Sequence, residues 1–224
     1  MKETIYTIPI NEAFDEDCDC PLCFIEKRLE QEAVEYELGP AMMEPDHREL
    51  SNVKGYCKRH FEMMLASPNK LPLALILDTH IGEVLKAISN KYGGLFKKNR
   101  ETQPEQIVNS CMVCEKLQST MDRYCRVLEA MWKDETEFRE KFEKSKGFCL
   151  PHFVKLSSVS SNGKFLAALC EKEKAVLSEL NEDVHRFTLK FDYRNKDMEW
   201  GNAKDAPRRG VEKMAGYIDE RKSE

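Results

Sequence analysis

No apolar run in the 224-residue chain is long enough to cross a bilayer: the longest, Leu71 to Leu77, is seven residues and contains Pro72, against the roughly 20 that a spanning helix needs. The segment Met1 to Phe14 has one early lysine and no apolar stretch of the length a secretory signal requires, and the chain turns acidic just beyond it. A cytoplasmic protein with no membrane span is therefore expected. An excess of basic charge is also missing. The net charge is -5 and the pI is near 5.7, which argues against nucleic acid as the partner, because nonspecific grip on phosphates comes from concentrated Lys and Arg. The short run Lys97, Lys98, Asn99, Arg100 reads as a solvated linker. Strand-like alternation is nearly absent. So are a Ser-His-Asp ordering, a Gly-rich phosphate loop and a helical His-Glu-x-x-His, the commonest sequence routes to a hydrolase or nucleotide enzyme. Enzyme activity stays open, with the balance toward none.

What is present is enough apolar residue, 41%, for a buried core, and a charged fraction of 33% that suits helices with solvated outer faces. Nine cysteines in a reducing compartment are read first for metal ligation and then for redox chemistry, not as a disulfide framework.

Their spacing carries the clearest signal in the chain. Cys20-Pro21-Leu22-Cys23 is followed by Gly55-Tyr56-Cys57-Lys58-Arg59-His60-Phe61, and Cys111-Met112-Val113-Cys114 by Gly147-Phe148-Cys149-Leu150-Pro151-His152-Phe153. The offset between copies is 91 residues for the first motif and 92 for the second, and it continues past the ligands, where Leu77, Val84, Leu85 and Ile88 correspond to Leu169, Val176, Leu177 and Leu180. This is a duplicated unit. Each C-x-x-C supplies two thiolates from a single turn, and each C-x-x-H adds a thiolate and an imidazole on one helical face. The expectation is one closed Cys3His site per copy: Cys20, Cys23, Cys57 and His60 in the first, and Cys111, Cys114, Cys149 and His152 in the second. Two zinc ions per chain are favoured over iron-sulfur clusters, which also use cysteine-rich sites. Helix starts at these motifs favour the thiolate form.

Apolar residues recur three and four apart, which predicts an all-α fold. Helices are expected from about Pro21 to Leu38, Asp46 to Val53, Lys58 to Ser67 and Leu71 to Gly93-Gly94. The second copy repeats the plan from Val113 to Trp132, Glu135 to Lys144 with Asp134 and Glu137 as a capping box, a ligand helix to Ser157, and a long helix from a cap at Asn162 to Phe191. A last amphipathic helix, Ala206 to Tyr217, is expected to bury Val211, Met214 and Ala215. The predicted division is a first repeat over 1–94, a linker over 95–106, a second repeat over 107–191 and a tail over 192–224 packing on the body.

Outside the ligand set, Cys18 reads as an incidental cysteine, a resolving thiol or an alternate ligand, and Cys125 and Cys170 as core residues. The acidic cluster Glu12, Asp15, Glu16, Asp17 and Asp19 suits the dipole of a following helix N-terminus, with attraction of a cation or a basic partner as the alternative. His47, His80 and His185 have no counterparts in the other copy. The segment Lys190-Phe191-Asp192-Tyr193-Arg194-Asn195, with Trp200 beyond it, fits either a binding surface built on Asp192, Tyr193, Arg194 and Trp200 or a helix end at which Arg194 and Asp192 pin the tail.

The doubled C-P-x-C and G-x-C-x-x-H pattern, the K-F-D-Y-R segment and the tail around Trp200 resemble an uncharacterised bacterial family, domain of unknown function 6062, over nearly the whole chain. By position the resemblance extends to the eight ligands and to Lys190 through Arg194, and it implies no activity. The leading expectation is a zinc-stabilised helical protein with structural metals that acts by binding a protein partner. The alternatives are a thiol redox or metal-responsive switch and an iron-sulfur electron carrier.

Overall fold

The computed structural model describes residues 5–92, 103–195 and 197–218. They form α1 (Thr7–Asp15), α2 (Pro21–Glu37), α3 (Pro45–Lys54), α4 (Lys58–Ala66), α5 (Leu71–Tyr92), α6 (Pro104–Val108), α7 (Met112–Asp134), α8 (Thr136–Lys144), α9 (Leu150–Val159), α10 (Gly163–Leu189) and α11 (Ala206–Ala215), with no strand among the described residues. The order α2 to α5 recurs as α7 to α10, the all-helical duplicated plan expected from the periodicity. The Gly93-Gly94 stop and most of the 95–106 linker lie outside the described residues. The linker's far end is the short helix α6, whose start is held by Gln106 Oε1 accepting from the backbone N–H of Gln103 at 2.9 Å.

Local chemistry accounts for most boundaries. The Asn162 side chain accepts from the backbone N–H groups of Lys164 and Phe165 at 3.0 and 3.3 Å, the expected cap of α10. The capping box at Asp134 and Glu137 does not form, because α7 runs on through Asp134 and the N-cap of α8 is Glu135, whose side chain makes no capping bond. The unexpected α1 buries Ile10 and Ala13, three apart. It packs on α8, with the Phe14 ring edge-on to Phe138 at 4.9 Å. At its end Asp15 pairs with Lys141 of α8 at 2.6 Å, and just beyond both helices Asp17 pairs with Lys146 at 2.5 Å.

Packing divides the chain into two units, one of Met1–Lys27 with Met121–Glu224, the other of Arg28–Thr120. The limits fall inside α2 and α7, so each unit draws on both sequence copies instead of following the expected sequential division. In the first unit Leu22, Leu128, Phe138, Phe142, Phe148 and Phe165 are fully buried, and α11 packs on α9 and α10. The second unit is centred on Val34, Tyr56, Met64, Leu73, Ile76 and Val113. There the Tyr56 hydroxyl donates to Glu37 at 2.6 Å, and the same carboxylate meets His47 Nε2 at 2.8 Å. His80 is buried, with Nδ1 2.7 Å from the carbonyl of Asn52.

Two surfaces depart from the ordinary polar exterior. Along α5, Leu71, Leu75, Ile81, Leu85, Ile88 and Tyr92 are all exposed, and Ile81, Leu85, Ile88 and Tyr92, at three- and four-residue steps, share one face. On α11 the expected orientation is reversed: Val211, Met214 and Ala215 are exposed, and the buried side holds Ala206 and Lys213. Hydrogen bonding to Lys213 outweighs the apolar preference there.

Candidate metal centres

The two ligand turns are built alike. Gly55 and Gly147 have φ of 66° and 74°, a left-handed backbone that side chains with a Cβ rarely adopt. A Cβ at Gly55 would lie 2.6 Å from His80 Cε1, and one at Gly147 would lie 2.9 Å from Glu173 Oε2. After that turn Cys57 and Cys149 take extended backbone as N-caps of α4 and α9. One helical step on, His60 Nδ1 lies 3.2 Å from Cys57 Sγ, and His152 Nδ1 lies 3.1 Å from Cys149 Sγ. Cys20 and Cys111 sit immediately before α2 and α7, placing Cys23 and Cys114 one turn in on the same side.

The eight expected ligands gather into two Cys3His groups, but with exchanged partners. Cys20 and Cys23 meet Cys149 and His152, and Cys57 and His60 meet Cys111 and Cys114. The expectation that each copy closes its own site is thereby corrected. Within a copy, C-x-x-C and C-x-x-H fall in different packed units, so the near-constant spacing that marks the repeat does not mark the site.

In each group the four ligand atoms lie within 4.8 Å of one another. In the first, Cys23 Sγ is 3.5 Å from Cys149 Sγ and 3.3 Å from His152 Nδ1. In the second, Cys57 Sγ is 3.8 Å from Cys114 Sγ, and His60 Nδ1 is 3.2 Å from Cys111 Sγ. With zinc-sulfur bonds of about 2.3 Å, a tetrahedron has edges of about 3.8 Å, so the donor sets fit one tetrahedral ion each. The outer imidazole nitrogens face carboxylates: His152 Nε2 lies 3.3 Å from Glu26, and His60 Nε2 lies 3.1 Å from Glu30. Such partners fix the tautomer that turns Nδ1 inward. Arg59 grips Glu30 with two bonds, at 2.6 and 2.5 Å. Burial pushes the Glu30 carboxyl up, but His60 and Arg59 outweigh it and hold it at about 2. Burial likewise raises the Cys111 thiol, yet His60 and the backbone amides of Cys114 and Cys57 bring it down to about 6, toward the thiolate a metal requires.

The two groups are closed differently. In the second unit Met112 N–H donates to the Gly55 carbonyl at 3.1 Å, and the Ser110 hydroxyl donates to the Lys54 carbonyl at 2.7 Å, stitching C-x-x-C to the ligand turn. The residue equivalent to Met112 in the other copy is Pro21, which has no N–H. In the first unit the buried Lys213 ammonium supplies that link, donating to the carbonyls of Asp19, Lys146 and Phe148 at 2.6, 2.5 and 3.3 Å. Burial lowers the Lys213 ammonium, while Glu173 and the nearby thiols favour its charged form. At the end of α11, Gly216 passes so close to the group that a Cβ there would stand 3.7 Å from Cys23 Sγ and 3.8 Å from Cys149 Sγ. Tyr217 is held by Lys27, whose Nζ donates to the hydroxyl at 2.9 Å. The second group keeps Cys114 exposed and Cys57 half-buried.

The remaining candidates stay outside both groups. Cys18 bonds to the Ala13 carbonyl at 3.5 Å, and burial raises its thiol to about 11. Cys125 is core. Asp192 and Arg194 pair with each other at 2.6 Å instead of pinning the tail. The tail is anchored by Trp200, 5.6 Å from the Phe187 ring, and by Arg209, 2.9 Å from Asp183. Tyr193 is exposed. Sequence reasoning missed Glu26, Glu30 and Lys213. The glutamates stand one and two turns beyond the C-x-x-C, where an acid is indistinguishable from a solvated one until the histidine is placed beside it.

No curated protein and no solved structure matches the chain. The model of the family of unknown function DUF6062 matches residues 1–221, and with the doubled Cys3His frame now located, the chain belongs to that family.

Proposed function

We propose that the protein is a cytoplasmic, zinc-stabilised helical binding protein whose two ions are structural. The observation that carries this is the crossing of the ligands. An ion in either group joins segments far apart in the chain, 126 residues between Cys23 and Cys149, and metal binding of this kind contributes directly to folding. Four protein ligands leave no open position for a substrate. Spacing of the sulfurs on the edges of a single tetrahedron favours one ion over a cluster, whose four ligands are spread over two or more irons. Elemental analysis and a visible spectrum of protein purified without oxygen or added metal test the reading. About two zincs per chain and no colour are expected, whereas iron with a brown chromophore rejects it.

The binding role rests on the exposed apolar face of α5, since contiguous apolar surface of this kind marks interaction sites. The occupant proposed is a protein presenting a complementary apolar helix. A photo-crosslinking residue at Leu85 should join such a partner through α5, and Ile81→Lys should abolish the product while leaving metal content unchanged. Labelling that survives Ile81→Lys rejects the role.

A further inference from the structure

We propose that the Cys57, His60, Cys111, Cys114 group is an oxidant-operated release site, in which a peroxide joins Cys57 to Cys114 as a disulfide and frees the ion, while the Cys20, Cys23, Cys149, His152 group keeps its own. This rests on the reading that each group holds zinc.

Distance does not separate the two groups, because the Cys23 and Cys149 sulfurs are 3.5 Å apart in the first and the Cys57 and Cys114 sulfurs 3.8 Å in the second. Access does. In the first group Cys20 and Cys149 are buried and Cys23 is half-buried, the Gly216 backbone passes close to the Cys23 and Cys149 sulfurs, and Lys213 and the Lys27–Tyr217 contact hold that segment in place. In the second, Cys114 is exposed, and Cys57, whose sulfur lies 3.8 Å from it, is half-buried. Oxidation selects thiolates that are accessible and have a resolving thiol beside them.

The step balances. The Cys114 thiolate attacks one oxygen of hydrogen peroxide and the O–O bond breaks. This leaves a sulfenic acid and a hydroxide that is protonated to water. The Cys57 sulfur then displaces the sulfenic oxygen as a second hydroxide, also protonated to water, forming the S–S bond. Two electrons pass from the sulfur pair to the peroxide. Only Cys111 and His60 remain on the ion, two of the four ligands it needs, and it leaves to a chelator.

The test uses full-length protein holding two zincs, treated with hydrogen peroxide in the presence of a chromogenic zinc chelator. One equivalent should appear at least tenfold faster than the other, and mass spectrometry at the first plateau should find Cys57 linked to Cys114. A thiol reductant with added zinc should restore the original content. In Lys27→Ala/Tyr217→Ala protein the slow equivalent should accelerate. Release of both ions in one phase, or a first disulfide within Cys20, Cys23 and Cys149, overturns the proposal while leaving the structural-zinc reading standing. Protein that holds no zinc before peroxide is added overturns both.

Discussion

Lys213 shows how one side chain acquires a role that its own helix does not announce. On α11 it occupies the face an apolar residue should take, and it is 3% exposed. Its ammonium replaces a backbone link that Pro21 cannot make. Hydrogen bonds to a charged group are worth roughly 1.5–3 kcal/mol, so Lys213→Met should destabilise the protein by about 2 kcal/mol in denaturant titration. Arg194→Ala, which removes surface contacts with Asp192 and the Tyr193 ring, should shift stability by less than about 0.5 kcal/mol. Equal effects of the two substitutions would refute the bridging role. At the other centre, Glu30→Gln should weaken zinc binding by roughly 10- to 100-fold, the usual cost of losing a histidine's outer partner. A competition titration against a zinc chelator reads this directly.

At the scale of elements, the helices were legible because an apolar period of three and four marks them wherever a face is buried, as in α2, α5, α7 and α10. The exceptions are short or inverted. The nine residues of α1 have too few buried positions to establish a period, and α6 has five residues, none of them buried. For α11 amphipathicity predicted a helix correctly and its buried side wrongly, since hydropathy alone does not register three carbonyls waiting for an ammonium. The ligand turns depend on their glycines for two reasons at once, the positive φ and the close approach of a side chain from α5 or α10. Gly55→Ala should therefore cost more than the roughly 1 kcal/mol of an ordinary glycine substitution. Analysis of the purified variant should find about one zinc instead of two, and retention of both ions would show that the turn tolerates a Cβ.

Across the whole molecule the exchanged ligands make a prediction that a sequential pairing contradicts. Cys57→Ser with Cys114→Ser damages one group only and should leave about one zinc per chain. Cys57→Ser with Cys23→Ser damages both and should leave about none. If each copy closed its own site, these two results would be reversed. Stripping both ions with a chelator should collapse the helical circular dichroism signal, because each ion closes a long loop and supplies a large share of the folding free energy in small metal-bound units. Among the described residues no helix is long and apolar enough to cross a membrane, in keeping with the short run at Leu71 to Leu77.

The sequence by itself determined the helical class and the eight cysteine and histidine positions that gather as candidate ligands, because periodicity and donor chemistry are properties of neighbours along the chain. Which cysteine pair meets which histidine was decided only by tertiary structure. The two copies have the same motifs, so either pairing satisfies the local chemistry equally, and only the packing that places α9 beside the start of α2, and α4 beside the start of α7, selects one. The same packing decided that one group lies under the end of α11 and the other leaves Cys114 in solvent.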